Sequence, residues 1–167
     1  RLELMSTRDG MTGVFNRRHW ETLLRYEFEA CRRSHRQATI LLIDIDHFKA
    51  INDTWGHDVG DEAIVAITRQ LQLTLRSGDY IGRFGGDEFA VIMSGTPADS
   101  AIAAMSRVHE RLVNMPLHGA PTARLCISVG VAPWGAQFTH YREWLKAADV
   151  ALYKAKNAGR GRTEVAA

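Results

Sequence analysis

Apolar residues recur along this chain in two rhythms. Between Ala38 and Asp46 they run almost unbroken, with Ile40, Leu41, Leu42, Ile43 and Ile45. A strand apolar on both faces predicts a central place in a sheet covered on both sides. Elsewhere the spacing is helical. Trp20, Leu24, Phe28 and Cys31 predict a helix from Asn16, a residue type suited to the N-cap, to about Ser34. Arg32, Arg33, His35 and Arg36 suit its C-terminus by charge. His47 to Trp55 reads as a short helix broken at Gly56, and Ile64, Ile67, Leu71 and Leu75 stripe the helix that follows. Pro97 to Met115 predicts a helix with Ile102, Met105, Val108 and Leu112 inward. Ala123 to Ala132 predicts a strand with Leu125, Ile127 and Val129 as its apolar positions. Trp144, Leu145, Ala148, Leu152 and Ala155 mark a last helix ending near Gly159, before an expected edge strand around Arg162 to Val165. At the other end, Arg1 to Met5 reads as the close of a helix arriving from outside the chain, followed by a turn-rich Asp9 to Gly13. Strands separated by helices, with one hairpin, indicate an α/β or α+β sheet domain.

Composition narrows the function only by exclusion. The 167 residues suit one domain, with 46% hydrophobic and 24% charged residues, ordinary values for a globular chain. The net charge of +2 is too small for a general nucleic-acid binder, which would carry a strong basic excess. It hides acids clustered from Asp44 to Asp61 and again at Asp87-Glu88. No apolar run approaches the roughly 18 residues of a membrane span, and no signal peptide is visible. Cys31 and Cys126 lack CxxC or metal-ligand spacing and read as buried free thiols of a reducing compartment. The chain begins with Arg1 rather than Met, which reads as a piece of something longer.

The candidate chemistry centres on Arg83-Phe84-Gly85-Gly86-Asp87-Glu88-Phe89-Ala90. Two runs rich in β-branched and aromatic residues flank Gly85-Gly86, which reads as a two-residue hairpin loop with positive φ that lets a ligand approach the backbone. Successive strand residues face opposite ways, so Asp87 and Glu88 take different jobs. Asp44 and Asp46 end the buried strand two residues apart, on one face. A carboxylate there is costly unless it meets a partner such as a metal ion. Asp44 is assigned to that role and Asp46 to capping the helix beginning at His47. Asp61-Glu62 would suit the first turn of the next helix by charge. That leaves Asn52, Asp53 and His57, just before it, without a structural reason. Lys156 and Arg160 lie four apart, on one helical face. At a helix C-terminus such cations also need no ligand to explain them.

Five stretches then line up in order. They are Asp9-Gly10-Met11-Thr12-Gly13 with Asn16-Arg17-Arg18; Asp44-Ile45-Asp46-His47-Phe48-Lys49; Asn52 through Asp61; Gly85-Gly86-Asp87-Glu88-Phe89; and Ala151-Leu152-Tyr153-Lys154-Ala155-Lys156 with Gly159-Arg160. Together they closely resemble the GGDEF-domain diguanylate cyclases, over about Thr7 to Thr163, and within them the AdrA-type cyclases of enteric bacteria. Met11 stands where the family often has Leu, a volume-conserving change.

The resemblance implies an α+β fold, an α/β sandwich with a palm-like, ferredoxin-related sheet flanked by helices. It implies one catalytic domain over residues 1–167, with 1–8 the end of a connector from an N-terminal sensor region. The implied reaction joins two GTP molecules into cyclic di-GMP and releases pyrophosphate. The implied cofactor is Mg²⁺ or Mn²⁺, two per site, on Asp44, the Ile45 carbonyl and Asp87. Asp87, Glu88 and Lys49 are the implied catalytic residues, with Asp87 and Glu88 both open as proton acceptor. Asn52 and Asp61 would read guanine with His57 nearby, and Phe48, Asp53, Gly85, Gly86, Lys156 and Arg160 complete the substrate set. Arg76 and Asp79, in Arg76-Ser77-Gly78-Asp79, match a product-inhibition site, with Arg107 as a basic partner. Two-fold symmetry of the product implies a homodimer. The implied setting is cytoplasmic, tethered to the inner membrane only through the N-terminal region, with no nucleic-acid partner. The competing function is a catalytically silent module that binds GTP or cyclic di-GMP.

Overall fold

The computed structural model describes residues 6–167, so the helix end expected over Arg1–Met5 lies outside the described residues. The elements run β1 (Phe15–Asn16), α1 (Arg17–Ser34), β2 (Ala38–Ile45), α2 (Phe48–Trp55), α3 (His57–Thr74), β3 (Tyr80–Gly85), β4 (Glu88–Ser94), α4 (Ala98–Val113), β5 (Ile127–Pro133), α5 (Tyr141–Asn157) and β6 (Thr163–Val165). They build one six-stranded sheet of order β1-β3-β4-β2-β5-β6. Its four inner strands are antiparallel neighbours, and β1 and β6 add in parallel at the two edges. The inner strands form two interleaved β-α-β units, the split arrangement of ferredoxin-like sheets.

β2 lies at the middle with every residue buried. Its alternation divides the core. Ile40 and Leu42 pack with Trp20, Leu24 and Phe28 of α1 and Trp144, Ala148 and Leu152 of α5. Leu41, Ile43 and Ile45 pack instead with Ile64, Ile67 and Leu71 of α3 and Met105 and Val108 of α4. The near-unbroken apolar run is therefore read correctly as a strand covered on both faces. Asn16 caps α1, its side chain accepting from the His19 N–H.

Several expectations shift. β5 begins at Ile127 rather than Ala123, because the Ala123 N–H is used in a turn to the Ala120 carbonyl. Ile102 is only half-buried; Ala101 and Ala104 face the core beside Met105. Cys31 is buried, but Cys126 is half-buried; both thiols are free. The two-residue strand β1 was not foreseen, being too short for any period to show. The edge strand β6 lies where the sequence places it.

Candidate functional site

The hairpin turn is one residue later than its glycines suggest. Gly85 still pairs with Glu88, so Gly86 and Asp87 form the turn, and the register slips between Arg83 and Gly85. Gly85 and Gly86 do carry positive φ, 133° and 42°. This puts Asp87 in the turn itself, and its carbonyl accepts from the Ile45 N–H at 3.1 Å. The turn is thus tied to the end of β2.

That tie brings two carboxyls together. Asp44 is 8% exposed, and Asp87 lies close enough to raise its proton affinity by charge and by hydrogen bonding. Burial is the larger cause, and the pair pushes the Asp44 pKa up to about 6, against the opposing pull of Lys156. Lys156, on the last turn of α5, makes an ion pair with Asp44 Oδ2. Asp44 Oδ1 is buried and accepts no hydrogen bond from the described residues. A buried oxygen of this kind suits a cation. Among the described residues no three His, Cys, Asp or Glu side chains gather as a metal cage. Two carboxylates with room for phosphate oxygens are the donor set Mg²⁺ commonly takes. The residues present therefore fit such an ion. Glu88, the register partner of Asp44, is exposed and lines a cleft of about 260 Å³ with Lys146, Asp149 and Lys156.

Asp46 has another task than the one expected. The N-cap of α2 is His47, at φ 55° and without a side-chain bond. The Asp46 carboxylate instead accepts from Ser128 Oγ at 2.6 Å and from the Gly161 N–H at 2.8 Å. It fastens the turn after α5 to the end of β2. This turn carries Arg160, which stands beyond α5 in the left-handed region at φ 65°, exposed. Lys156 and Arg160 therefore do not share a helical face.

On the opposite face, α2 and α3 meet at a corner made by Gly56. Asn52 lies against Gly60, where a Cβ would collide with its carboxamide, and Asn52 Oδ1 is buried without a hydrogen-bond partner among the described residues. Phe48 packs against the core and contacts the same point. His57 opens α3, and Asp61 stands in its second turn rather than its first, where Asp58 sits; His57 and Asp61 are both exposed. Lys49 and Asp53 pair with each other at 2.9 Å across one turn of α2.

Arg76 and Asp79 do meet. The Arg76 N–H donates to Asp79 Oδ2 at 2.9 Å, while its guanidinium reaches Thr96 Oγ1 at 2.6 Å. The Asp79 side chain is 1% exposed, its Oδ1 accepts no hydrogen bond from the described residues, and burial raises its pKa against the pull of Arg76. Both line a pocket of about 370 Å³. Arg107 is not among its lining residues; its guanidinium bonds the Ala103 carbonyl of its own helix.

Sequence reasoning missed Arg83 and Asp9. Arg83 donates through Nε and Nη2 to the Gly86 carbonyl, at 3.2 and 2.9 Å, and through Nη1 to both Asp9 oxygens at 3.3 Å. An arginine two residues before Gly85, in the strand leading to the turn, was the sequence signal available for it.

A profile of the diguanylate cyclase GGDEF domain matches residues 6–162. The probable diguanylate cyclase DgcC of Escherichia coli K12 is 75% identical over 167 residues, covering 100% of this chain and 45% of that protein. The diguanylate cyclase DosC of the same strain is 34% identical over 159 residues, covering 94% and 34%. The chain thus spans less than half the length of these relatives. Among solved structures, the GGDEF domain of DgcB from Caulobacter crescentus, in complex with c-di-GMP, superposes with a TM-score of 0.91 at 27% identity, covering 96% of each chain.

Proposed function

The chain belongs to the diguanylate cyclase GGDEF-domain family, and from that premise we propose that it condenses two GTP molecules into cyclic di-GMP and releases pyrophosphate. The observation that carries this reading is the meeting of Asp44 and Asp87 at a strand end and a hairpin turn, with one Asp44 oxygen buried and unbonded. Asp44, Asp87 and the Ile45 carbonyl would hold Mg²⁺ or Mn²⁺, two per site, which when bound neutralises charge on the α-phosphate and the departing pyrophosphate. The remaining steps belong to side chains. Glu88, on the same sheet face as Asp44, takes the proton of the attacking 3′-hydroxyl. Lys156 and Arg160 hold the triphosphate, and Gly85 and Gly86 let it come close to the backbone. Lys49, now paired with Asp53, turns to the phosphates as their charge develops. Asn52 Oδ1 and the Asp61 carboxylate accept from guanine N1 and N2, with His57 beside them.

Arg76 and Asp79 form a product-inhibition site on the far side of β3. The buried, unbonded Asp79 oxygen supports this, because it can accept from a guanine edge. One chain offers one such set of acids and base-reading groups. Catalysis therefore takes two copies facing one another, in a domain set in the cytoplasm.

Replacing Asp44 or Asp87 by Asn tests the assignment. Each variant should fold and lose pyrophosphate release from GTP by about two orders of magnitude or more, the scale of removing a main electrostatic group. Native rates from either folded variant would refute the assignment of these acids, whereas a native chain that releases no pyrophosphate would favour a silent binding module.

A further inference from the structure

The pocket that holds Arg76 and Asp79 has a second wall. It is built by the segment leading into the domain: Arg8, Val14 and Phe15 line the pocket together with Arg76, Asp79, Leu75 and Ile81. Arg8 sits over Phe15, its guanidinium carbon 4.1 Å from the ring centroid and its Nη1 donating to the Gly13 carbonyl at 3.3 Å. Phe15 is itself fixed by pairing with Gly82 of β3 and by a bridge to Arg8. A guanidinium stacked on an aromatic ring keeps its edge N–H groups in a fixed plane, ready for an anion. The lining holds two guanidiniums and one carboxylate, so the pocket carries an excess of positive charge. A ligand with two phosphodiester groups and guanine edges answers all three: phosphate for the arginines, a guanine donor edge for Asp79.

We propose that Arg8 is a further ligand of this pocket, gripping a phosphate of bound cyclic di-GMP alongside Arg76. The assignment rests on the product-inhibition reading given above. It has a structural consequence for signalling. Asp9, the next residue, holds Arg83, and Arg83 holds the carbonyl of Gly86 in the catalytic turn. Product gripped by Arg8 therefore takes hold of the same short segment that braces the turn.

Titration calorimetry of the chain with cyclic di-GMP tests this. Arg8→Met keeps an aliphatic cover over Phe15 and removes the charge; Arg8→Ala removes both. Each should weaken binding about tenfold or more, as loss of a charged hydrogen-bond donor does, with the melting temperature confirming the fold. Arg76→Ala, measured alongside, reports separately on the pocket. Native affinity in Arg8→Met with weakened affinity in Arg76→Ala would overturn the role of Arg8 and leave it a surface stack on Phe15. Native affinity in Arg76→Ala would overturn the product-inhibition reading itself, and native affinity in all three variants would overturn both.

Discussion

Asp61 and Asp9 show how differently two acids can be used. Asp61 is exposed in the second turn of α3, where no partner among the described residues engages it and the helix terminus gives it little. As a guanine acceptor it should matter to base choice. Asp61→Ala should weaken GTP binding by about 1–3 kcal/mol and raise ATP binding relative to GTP. Competition measurements with both nucleotides check this, and an unchanged preference would reduce Asp61 to a helix-surface acid. Asp9 is held inside a network. Burial alone would raise its pKa, but hydrogen bonds from Thr12 and the charge of Arg83 outweigh it, and the net value lies below the ordinary 3.8. A depressed carboxyl stabilises the fold above its unfolded pKa and loses that contribution as pH falls through the folded value. Asp9→Asn should therefore cost about 1–3 kcal/mol near neutral pH, with the difference closing below pH 3.8. Denaturant unfolding at both pH values tests it; a pH-independent difference would mean that the Asp9 charge does not brace Arg83.

At the scale of elements, α5 governs where Lys156 stands. The helix crosses β5 so closely at Gly130 that a Cβ there would collide with the Ala148 carbonyl and the Leu152 backbone. Gly130→Ala should push α5 outward, lower stability by about 1–3 kcal/mol or more, and reduce turnover by drawing Lys156 from Asp44. Unfolding and GTP turnover measured together check this; full activity would separate helix placement from catalysis. The elements themselves were largely legible because each buries a face wide enough to impose a period. α1, β2 and α5 carry Trp20, Ile40 to Ile45 and Trp144 at the core, and no other reading of those spacings buries them. What was not legible depends on non-local partners. Asp46 reads as a cap from its neighbours in sequence, yet it bonds Ser128 and Gly161 across the sheet. Gly85-Gly86 reads as the turn pair, but pairing of Gly85 with Glu88 carries the turn on to Asp87. Arg160 reads in the sequence as continuing a helix that ends at Asn157, where Gly159 and Gly161 with positive φ redirect the chain. Asp44 and Asp87 stand out in the sequence as acids at a strand end and a hairpin, but it takes the β2–β4 pairing and the Ile45–Asp87 backbone bond to bring them together.

At the scale of the whole molecule, the acids, with the corner and the lysine proposed to read the base and bind phosphate, form one set among the described residues, whereas cyclic di-GMP has two identical linkages. An isologous pair is the simplest arrangement that makes both. Activity per chain should then rise with concentration, because productive encounters are second order, and a fused coiled coil should raise it further. Activity per chain that stays flat across a hundredfold dilution would contradict the shared site. The proposed reaction makes a cyclic dinucleotide from GTP and can be observed directly. Incubation of the concentrated chain with GTP and Mg²⁺, followed by separation and mass measurement of the nucleotides, tests it. Cyclic di-GMP, with two pyrophosphates for each molecule formed, is the expected product; unreacted GTP, or a ring containing a single nucleotide, would overturn the proposed reaction.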